Sequence, residues 1–135
     1  MVTLMNKLIE LKTLRTLILS NNPVPAHNPN KTPNKTHQEF MNTLHTFMHS
    51  QEYLTLLNIS NMFLGFESLL EFCHKAITPS LLSLHLSGND ITDFQMQMLL
   101  SAMGVSMRKF EQNREANAPN EIYVEVKNDG KAESL

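Results

Sequence analysis

The stretch Leu14-Arg15-Thr16-Leu17-Ile18-Leu19-Ser20-Asn21-Asn22 has leucine at its first, fourth and sixth positions and asparagine at its ninth. Leu81–Asn89, which reads Leu-Leu-Ser-Leu-His-Leu-Ser-Gly-Asn, has the same pattern. Leu54–Met62 follows it with isoleucine at the sixth position and methionine at the ninth. Because residues two apart point to the same side of a strand, each stretch predicts a short strand with one buried face.

The second and third patterns start 27 residues apart, and the similarity extends beyond the strands. Two further sets of apolar residues, also 27 positions apart, have the spacing i, i+3, i+4, i+7, which is one face of a helix. Thr92 and Gln95 form a capping box at the start of the second helix. Each repeat is therefore predicted to be a strand, a turn and a helix whose buried face is formed by Leu69, Phe72, Cys73 and Ala76, or by Met96, Leu99, Leu100 and Met103.

These motifs resemble the leucine-rich-repeat superfamily, and the repeat length with a helical return resembles its ribonuclease-inhibitor-like subclass. The resemblance implies an α/β solenoid with a curved parallel sheet on the concave side and helices on the convex side. It also implies a ladder of asparagines, Asn22 and Asn89, whose side-chain amides bond the backbone where the strands turn away. Met62 cannot make these bonds, so we expect the ladder to be interrupted there.

The pattern divides the chain into repeats of unequal length. The first repeat exceeds 27 residues by an insertion rich in proline and asparagine, predicted to be a projecting loop because proline cannot join a helix interior. A second capping box, Thr36–Glu39, is predicted to start the helix that follows. The predicted units are 1–13 (the end of a preceding helix or an N-terminal cap), 14–53 (first repeat, with the insertion at 21–36), 54–80 (second repeat), 81–118 (third repeat, with an extended polar helix), 119–128 (a capping strand) and 129–135 (a frayed tail).

Proteins of this family bind through the concave face of the sheet. The residues between the leucines would lie there, and the predicted fourth strand would add two more. This face is small and nearly uncharged, so it suits a protein surface or an extended peptide and not phosphate. The predicted partner-binding residues are Thr16, Ile18, Leu56, Asn58, Ser83, His85, Tyr123 and Glu125. The insertion is a competing docking element, although we favour a tolerated insertion.

Composition restricts the remaining function classes. With 41% hydrophobic and 18% charged residues, the chain is expected to be globular. A net charge of −2 leaves no basic excess to neutralise a phosphate backbone, which argues against nucleic-acid binding. Charges interrupt the N-terminal residues 1–10, so neither a signal peptide nor a membrane span is predicted.

No pattern predicts catalysis, a cofactor or a metal site. His45 and His49 are four residues apart but lack the glutamate of a zinc-protease motif, so we interpret them as solvated helix residues. Cys73 and His74 are adjacent and would point about 100° apart on a helix, which is poor geometry for proton transfer. Cys73 also lies on the apolar stripe, and we therefore predict a buried core cysteine.

The expected function is a non-enzymatic protein–protein interaction module. Similar repeats occur in regulators of actin capping, in tropomodulin-like proteins and in ciliary scaffold subunits. The resemblance thus implies a cytoplasmic adaptor or scaffold, associated with the cytoskeleton or a cilium. The alternative is a structural subunit buried in a large assembly, with neighbours covering the edges of the solenoid. The chain is either complete in this form or part of a longer solenoid.

Overall fold

The computed structural model describes residues 1–103, 123–128 and 131–134, the last two segments by their backbone alone. Strands and helices alternate, so the predicted α/β class is confirmed. The elements are α1 (Val2–Leu8), β1 (Thr16–Ile18), α2 (Lys35–Ser50), β2 (Leu56–Asn58), α3 (Phe66–Lys75), β3 (Ser83–His85), α4 (from residue 93, described to residue 103), β4 (Tyr123–Asn128) and β5 (Lys131–Ser134).

The strands form one sheet in the order β1-β2-β3-β4-β5. The first four are parallel, and β5 pairs antiparallel with β4. Backbone pairing continues beyond the short strands: Leu19 N donates to Asn58 O at 2.8 Å, and Ile59 N donates to His85 O at 3.1 Å. Neighbouring leucine patterns therefore stay in register for at least one residue after each three-residue strand.

The alternation predicted for the strands decides which face is buried. Leu17, Leu57 and Leu84, the central residues of β1 to β3, are buried, whereas the residues on either side of each are exposed or half-buried. The buried leucines join the apolar faces of the helices in one core. The predicted helix faces are confirmed by the burial of Leu69, Phe72, Cys73, Ala76, Met96, Leu99 and Met103, with Leu100 packed partly buried against them.

The turns after the strands share a left-handed backbone. Asn21, Asn61 and Gly88, the eighth positions of the three leucine patterns, have φ of 67°, 56° and 71°. Asparagine and glycine are the residues that adopt this region most readily, which explains their recurrence at this position. Phe63 and Asp90, two residues after Asn61 and Gly88, both have φ of 55°. For the bulky Phe63 this conformation is strained.

The insertion at 21–36 is a loop with backbone hydrogen bonds between its own residues. His27 and Pro33 form an isolated antiparallel bridge. Within the bridge, Asn28 N donates to Thr32 O at 2.8 Å and Lys31 N donates to Asn28 O at 2.8 Å. Local backbone hydrogen bonds thus order the outer part of the loop, although nearly all of its side chains are exposed.

Helix α2 does not begin at the predicted capping box of Thr36. The N-cap is Asn34, whose side-chain oxygen accepts a 3.0 Å hydrogen bond from Thr36 N. Its Nδ2 also donates to Pro25 O at 2.9 Å. Asn34 therefore caps α2 and also closes the loop through Pro25. Because Thr36 does not make both of these bonds, α2 begins two residues before the predicted position.

The base of the insertion is fixed to the core by a buried histidine. Val24 is buried, and its N–H donates to Met62 O at 2.8 Å. His37, only 4% exposed, donates from Nδ1 to Val24 O at 2.6 Å, and its Nε2 lies 2.7 Å from Ser68 Oγ. Both ring nitrogens are satisfied, so His37 connects the loop, α2 and α3.

The C-terminal segment differs in part from expectation. Residues 129–135 were predicted to fray, but Lys131–Ser134 form β5. The predicted polar extension of the third helix, to residue 118, lies outside the described residues. In the described part of the chain, no helix combines the length and the apolar character needed to cross a bilayer.

Candidate protein-binding face

The predicted partner-binding residues lie in two rows across the sheet. One row pairs Thr16 with Leu56 and Leu56 with Ser83, and the other pairs Ile18 with Asn58 and Asn58 with His85. Each row flanks the buried leucines, so its side chains lie on the sheet face that points away from the helices. We call these six residues the open sheet face. The backbone register continues from Ser83 to Tyr123 and from His85 to Glu125.

Exposure decreases across the open sheet face from β1 to β3. Ile18 is 60% exposed, which is high for a large apolar side chain in a strand, and Thr16 is also exposed. The side chains of the β2 and β3 residues are half-buried. The most accessible apolar contact is therefore at the β1 end, next to a more polar region on β2 and β3.

Hydrogen bonds hold the polar side chains of this face in place. Asn58 Oδ1 accepts from Ser60 N at 3.0 Å. Ser83 Oγ lies 3.1 Å from His85 Nε2, and Ser87 Oγ donates to Ser60 Oγ at 3.1 Å. The Asn58 Nδ2 group donates to none of the described residues, which leaves it available to a ligand. A pre-ordered polar surface of this kind loses little side-chain entropy on binding.

Arg15 and Tyr53, which the sequence analysis did not select, form a pair just before β1 and β2. The Arg15 guanidinium lies 5.9 Å from the centroid of the Tyr53 ring. Both are exposed, and Arg15 O accepts hydrogen bonds from Thr55 N (2.8 Å) and Leu56 N (3.1 Å) at the entry to β2. Arginine and tyrosine are enriched at binding hot spots. The available sequence signal was an aromatic residue, Tyr53, directly before the second leucine pattern.

The two predicted ladder asparagines have different environments. Asn89 is fully buried and accepts from Met62 N (3.3 Å) and Leu64 N (3.0 Å). Its Nδ2 donates to Ile59 O and Leu86 O, both at 2.9 Å. Asn22 is exposed, and its Nδ2 donates to Leu19 O (2.9 Å) and Ser20 O (3.2 Å) of its own segment.

His45 and His49 of α2 contact residues of α3, and Cys73 of α3 is buried in the core. His49 Nε2 donates to Lys75 O at 2.8 Å, and His45 packs edge-on against Phe72 with ring centroids 5.8 Å apart. Cys73 is buried, as predicted, and burial raises the pKa of its thiol to about 12. Among the residues described, no group of three or more histidine, cysteine, aspartate or glutamate side chains is arranged to hold a metal ion.

A cleft lies on the helix side of the molecule. The insertion, α2 and α3 enclose an open cleft of about 440 Å³. Its lining includes His27 and Pro33 from the loop, Asn42 from α2, and Glu67 and Glu71 from α3. The insertion therefore forms one wall of this cleft.

Comparison with known proteins identifies no relative. No protein-family model matches the chain. No curated protein and no solved structure matches it either. Inference about function therefore depends on the repeated sequence pattern and on the geometry of the open sheet face.

Proposed function

We propose that the chain is a leucine-rich-repeat solenoid that acts as a non-enzymatic protein–protein interaction module and binds through the open sheet face. The observation that carries this proposal is the register of the two rows, Thr16–Leu56–Ser83 and Ile18–Asn58–His85, on the face opposite the helices. Residues far apart in sequence thereby form one continuous surface. The leucine pattern and its 27-residue spacing support the solenoid interpretation.

The chemistry of this face favours a polypeptide ligand. An exposed apolar side chain, Ile18, lies beside Asn58, and Ser83 adds a hydroxyl group on the third strand. Such a combination matches the alternating apolar and polar groups of a protein surface or an extended peptide. The open sheet face has no lysine or arginine, and the chain has a net charge of −2, so phosphate and nucleic acid are disfavoured ligands.

The wider role we propose is that of an adaptor or scaffold in the cytoplasm, associated with the cytoskeleton or a cilium. Its support is the resemblance of the repeats to those of cytoskeletal and ciliary proteins. The scaffold pattern alone does not select a ligand, because different binding residues are placed on the same fold. The identity of the partner must therefore come from capture experiments.

The test compares capture by three tagged forms of the chain. The first is wild type, and the second carries Asn58→Arg and His85→Glu on the open sheet face. The third is a matched control with Asn42→Arg and His74→Glu, which places the same changes at exposed positions of α2 and α3. Proteins retained from cells of the source organism are identified by mass spectrometry, and circular dichroism verifies that all three forms are folded.

We expect wild type and the helix-side control to retain the same defined partner and the sheet-face variant to lose it. Equal capture by all three forms would mean that neither the open sheet face nor the part of the cleft around Asn42 binds the partner. Loss by the control alone would assign binding to the helix side. Either result would refute the proposed site.

A second candidate function is a structural subunit within a large assembly. It is favoured by the exposed apolar residues of the N-terminal part, Leu4, Leu11 and Ile18, each at least half exposed. A buried subunit would self-associate or precipitate when isolated, whereas an adaptor would remain monomeric. Sedimentation velocity over a range of concentrations distinguishes the two.

A further inference from the structure

A buried histidine and a helix serine form a hydrogen-bonded pair in the wall of the cleft between the insertion, α2 and α3. His37 Nε2 lies 2.7 Å from Ser68 Oγ, and both residues line the cleft. His37 is buried, whereas Ser68 is half-buried and so keeps part of its surface accessible. The two residues are 31 positions apart in the chain, so no local sequence pattern predicts the pair.

The backbone of the insertion determines which nitrogen of His37 carries the proton. Nδ1 lies 2.6 Å from Val24 O, a carbonyl oxygen that can only accept, so Nδ1 must donate. In the neutral ring Nε2 is then the acceptor, and it receives the hydroxyl proton of Ser68. A nucleophile bonded to a base that a third group orients is the arrangement that activates a serine. Here the third group is a backbone carbonyl.

Ser68 differs from the other helix hydroxyls in what accepts its proton. Thr43, Thr46 and Ser50 each donate to a backbone carbonyl three or four residues earlier in α2. A carbonyl cannot take up the proton when the hydroxyl oxygen attacks an electrophile, whereas an imidazole can. A second serine–histidine pair, Ser83 with His85, has a longer separation of 3.1 Å and lies on the open sheet face, outside the cleft.

The start of α3 adds donors for negative charge. Ser68 is the third residue of this helix, and its N-cap, Gly65, makes no side-chain capping hydrogen bond. Within the described part of the chain, the backbone N–H groups of Glu67 and Ser68 have no acceptor. Unpaired N–H groups at a helix N-terminus stabilise an anion, including the oxyanion that forms when an acyl carbon is attacked. The same end of α3 therefore provides both the nucleophile and such donors.

The lining of the cleft restricts the class of electrophile. A volume of about 440 Å³ is in the range that holds a small organic ligand. Pro33 and Met41 contribute apolar surface, and Glu67 and Glu71 contribute carboxylates. Because the described lining contains no lysine or arginine, an anionic acyl group is disfavoured. An uncharged acyl group fits this lining best.

We propose that Ser68, activated by His37, is a nucleophile that accepts an uncharged acyl group from an activated ester or thioester bound in this cleft. Ser68 Oγ forms a bond to the acyl carbon while its proton passes to His37 Nε2. The bond from that carbon to the leaving oxygen or sulfur breaks, and the leaving group departs with the electron pair and takes the proton from His37. Ser68 is then O-acylated and His37 is neutral again. This single transfer without turnover is compatible with a non-enzymatic binding module and does not involve the open sheet face.

The test exposes the full chain to two electrophiles. An alkyne-tagged fluorophosphonate traps an activated serine irreversibly, since a P–O bond forms as fluoride leaves, and peptide mass spectrometry locates the adduct. Release of p-nitrophenolate from p-nitrophenyl acetate measures acyl transfer. The variants are Ser68→Ala, His37→Asn, which keeps an N–H donor for Val24 O but has no base, and the matched control Ser50→Ala at another half-buried helix serine. Circular dichroism verifies the fold of each form.

We expect the fluorophosphonate adduct on Ser68 of native wild type. Ser68→Ala should abolish that adduct and lower p-nitrophenolate release to the rate of the urea-unfolded chain. His37→Asn should slow both reactions by at least about 100-fold, as expected for loss of a general base, while Ser50→Ala should leave both unchanged. Labelling of Ser83 instead of Ser68, equal rates in wild type and His37→Asn, or no adduct on native wild type would each overturn the proposal.

The proposal stays testable if His37→Asn fails to fold. Wild type unfolded in urea then serves as the form in which His37 and Ser68 are separated. Native wild type should react with the fluorophosphonate at Ser68 at least about 100-fold faster than the unfolded chain. Equal labelling of the two forms would show that the pair does not activate Ser68.

Discussion

The Asn89 side-chain amide donates a 2.9 Å hydrogen bond to Ile59 O, a backbone group 30 residues earlier in the chain. Its Oδ1 accepts from Met62 N and Leu64 N of the same preceding segment. Asn89 therefore satisfies the turn after β2, where Met62 replaces the asparagine of the leucine pattern. A single buried amide connects the second and third repeats.

Replacing Asn89 by alanine should cost about 4 kcal/mol of unfolding free energy, because backbone donors and acceptors would remain buried without partners. The matched variant Asn22→Ala should cost under about 1 kcal/mol, since Asn22 is exposed and its acceptors can bond water. Urea unfolding followed by circular dichroism measures both losses. Equal losses would show that Asn89 does not hold the two repeats together.

Gly88 is predicted to tolerate substitution less well than Gly65. Both have positive φ, 71° and 83°, so alanine is strained at either position. A Cβ at Gly88 would also overlap the side chain of Asn61, whereas a Cβ at Gly65 would meet nothing within 4 Å. We expect losses of about 2–3 kcal/mol for Gly88→Ala and about 1 kcal/mol for Gly65→Ala. Thermal and urea unfolding would detect the difference, and a larger loss at Gly65 would contradict the overlap.

The helix cap at Asn34 can be tested against the predicted cap at Thr36. Asn34→Ala should destabilise the chain by about 1 kcal/mol or slightly more, because it removes the bond from Thr36 N and the bond to Pro25 O. Thr36→Ala should cost only a few tenths of a kcal/mol, since Thr36 lies inside the first turn. Both values come from urea titrations. A greater loss of unfolding free energy for Thr36→Ala would support the predicted capping box instead.

His45 should make stability dependent on pH. Burial lowers its pKa from the ordinary value of 6.5; the Glu71 carboxylate acts in the opposite direction, and His49 and Lys75 lower the pKa further. The unfolded chain therefore binds a proton more readily than the folded chain. The stability that neutral His45 contributes is complete above pH 6.5. It is lost as the pH falls from 6.5 to the pKa of His45 in the folded chain.

His45→Gln should reduce the loss of stability between pH 8 and pH 5. The measurement is the difference in unfolding free energy at the two pH values for wild type and variant. Because the side chain is only partly buried, we expect a modest difference. The same loss in both proteins would mean that His45 does not contribute to the pH dependence.

Much of the fold could be predicted because it depends on local periodicity. Leu17, Leu57 and Leu84 alternate with more exposed neighbours, and Leu69, Phe72 and Cys73 repeat with helical spacing, so their burial follows from the sequence. The Thr92–Gln95 capping box is also confirmed, with Gln95 Oε1 accepting from Thr92 N at 3.0 Å and Thr92 Oγ1 accepting from Gln95 N at 3.2 Å. Each feature involves residues within a few positions of each other.

The sequence alone determined the strands and helices of the three leucine patterns and the apolar side of each, since these properties follow from spacings of two and of three or four residues. It did not determine β5 or the start of α2. Only the tertiary structure decided the partners of His37 and the hydrogen bonds of Asn89 to the preceding repeat. These depend on groups that are distant in sequence and become neighbours only when the strands stack. The identity of a buried amide does not indicate which backbone it will bond, because that is set by how the repeats pack.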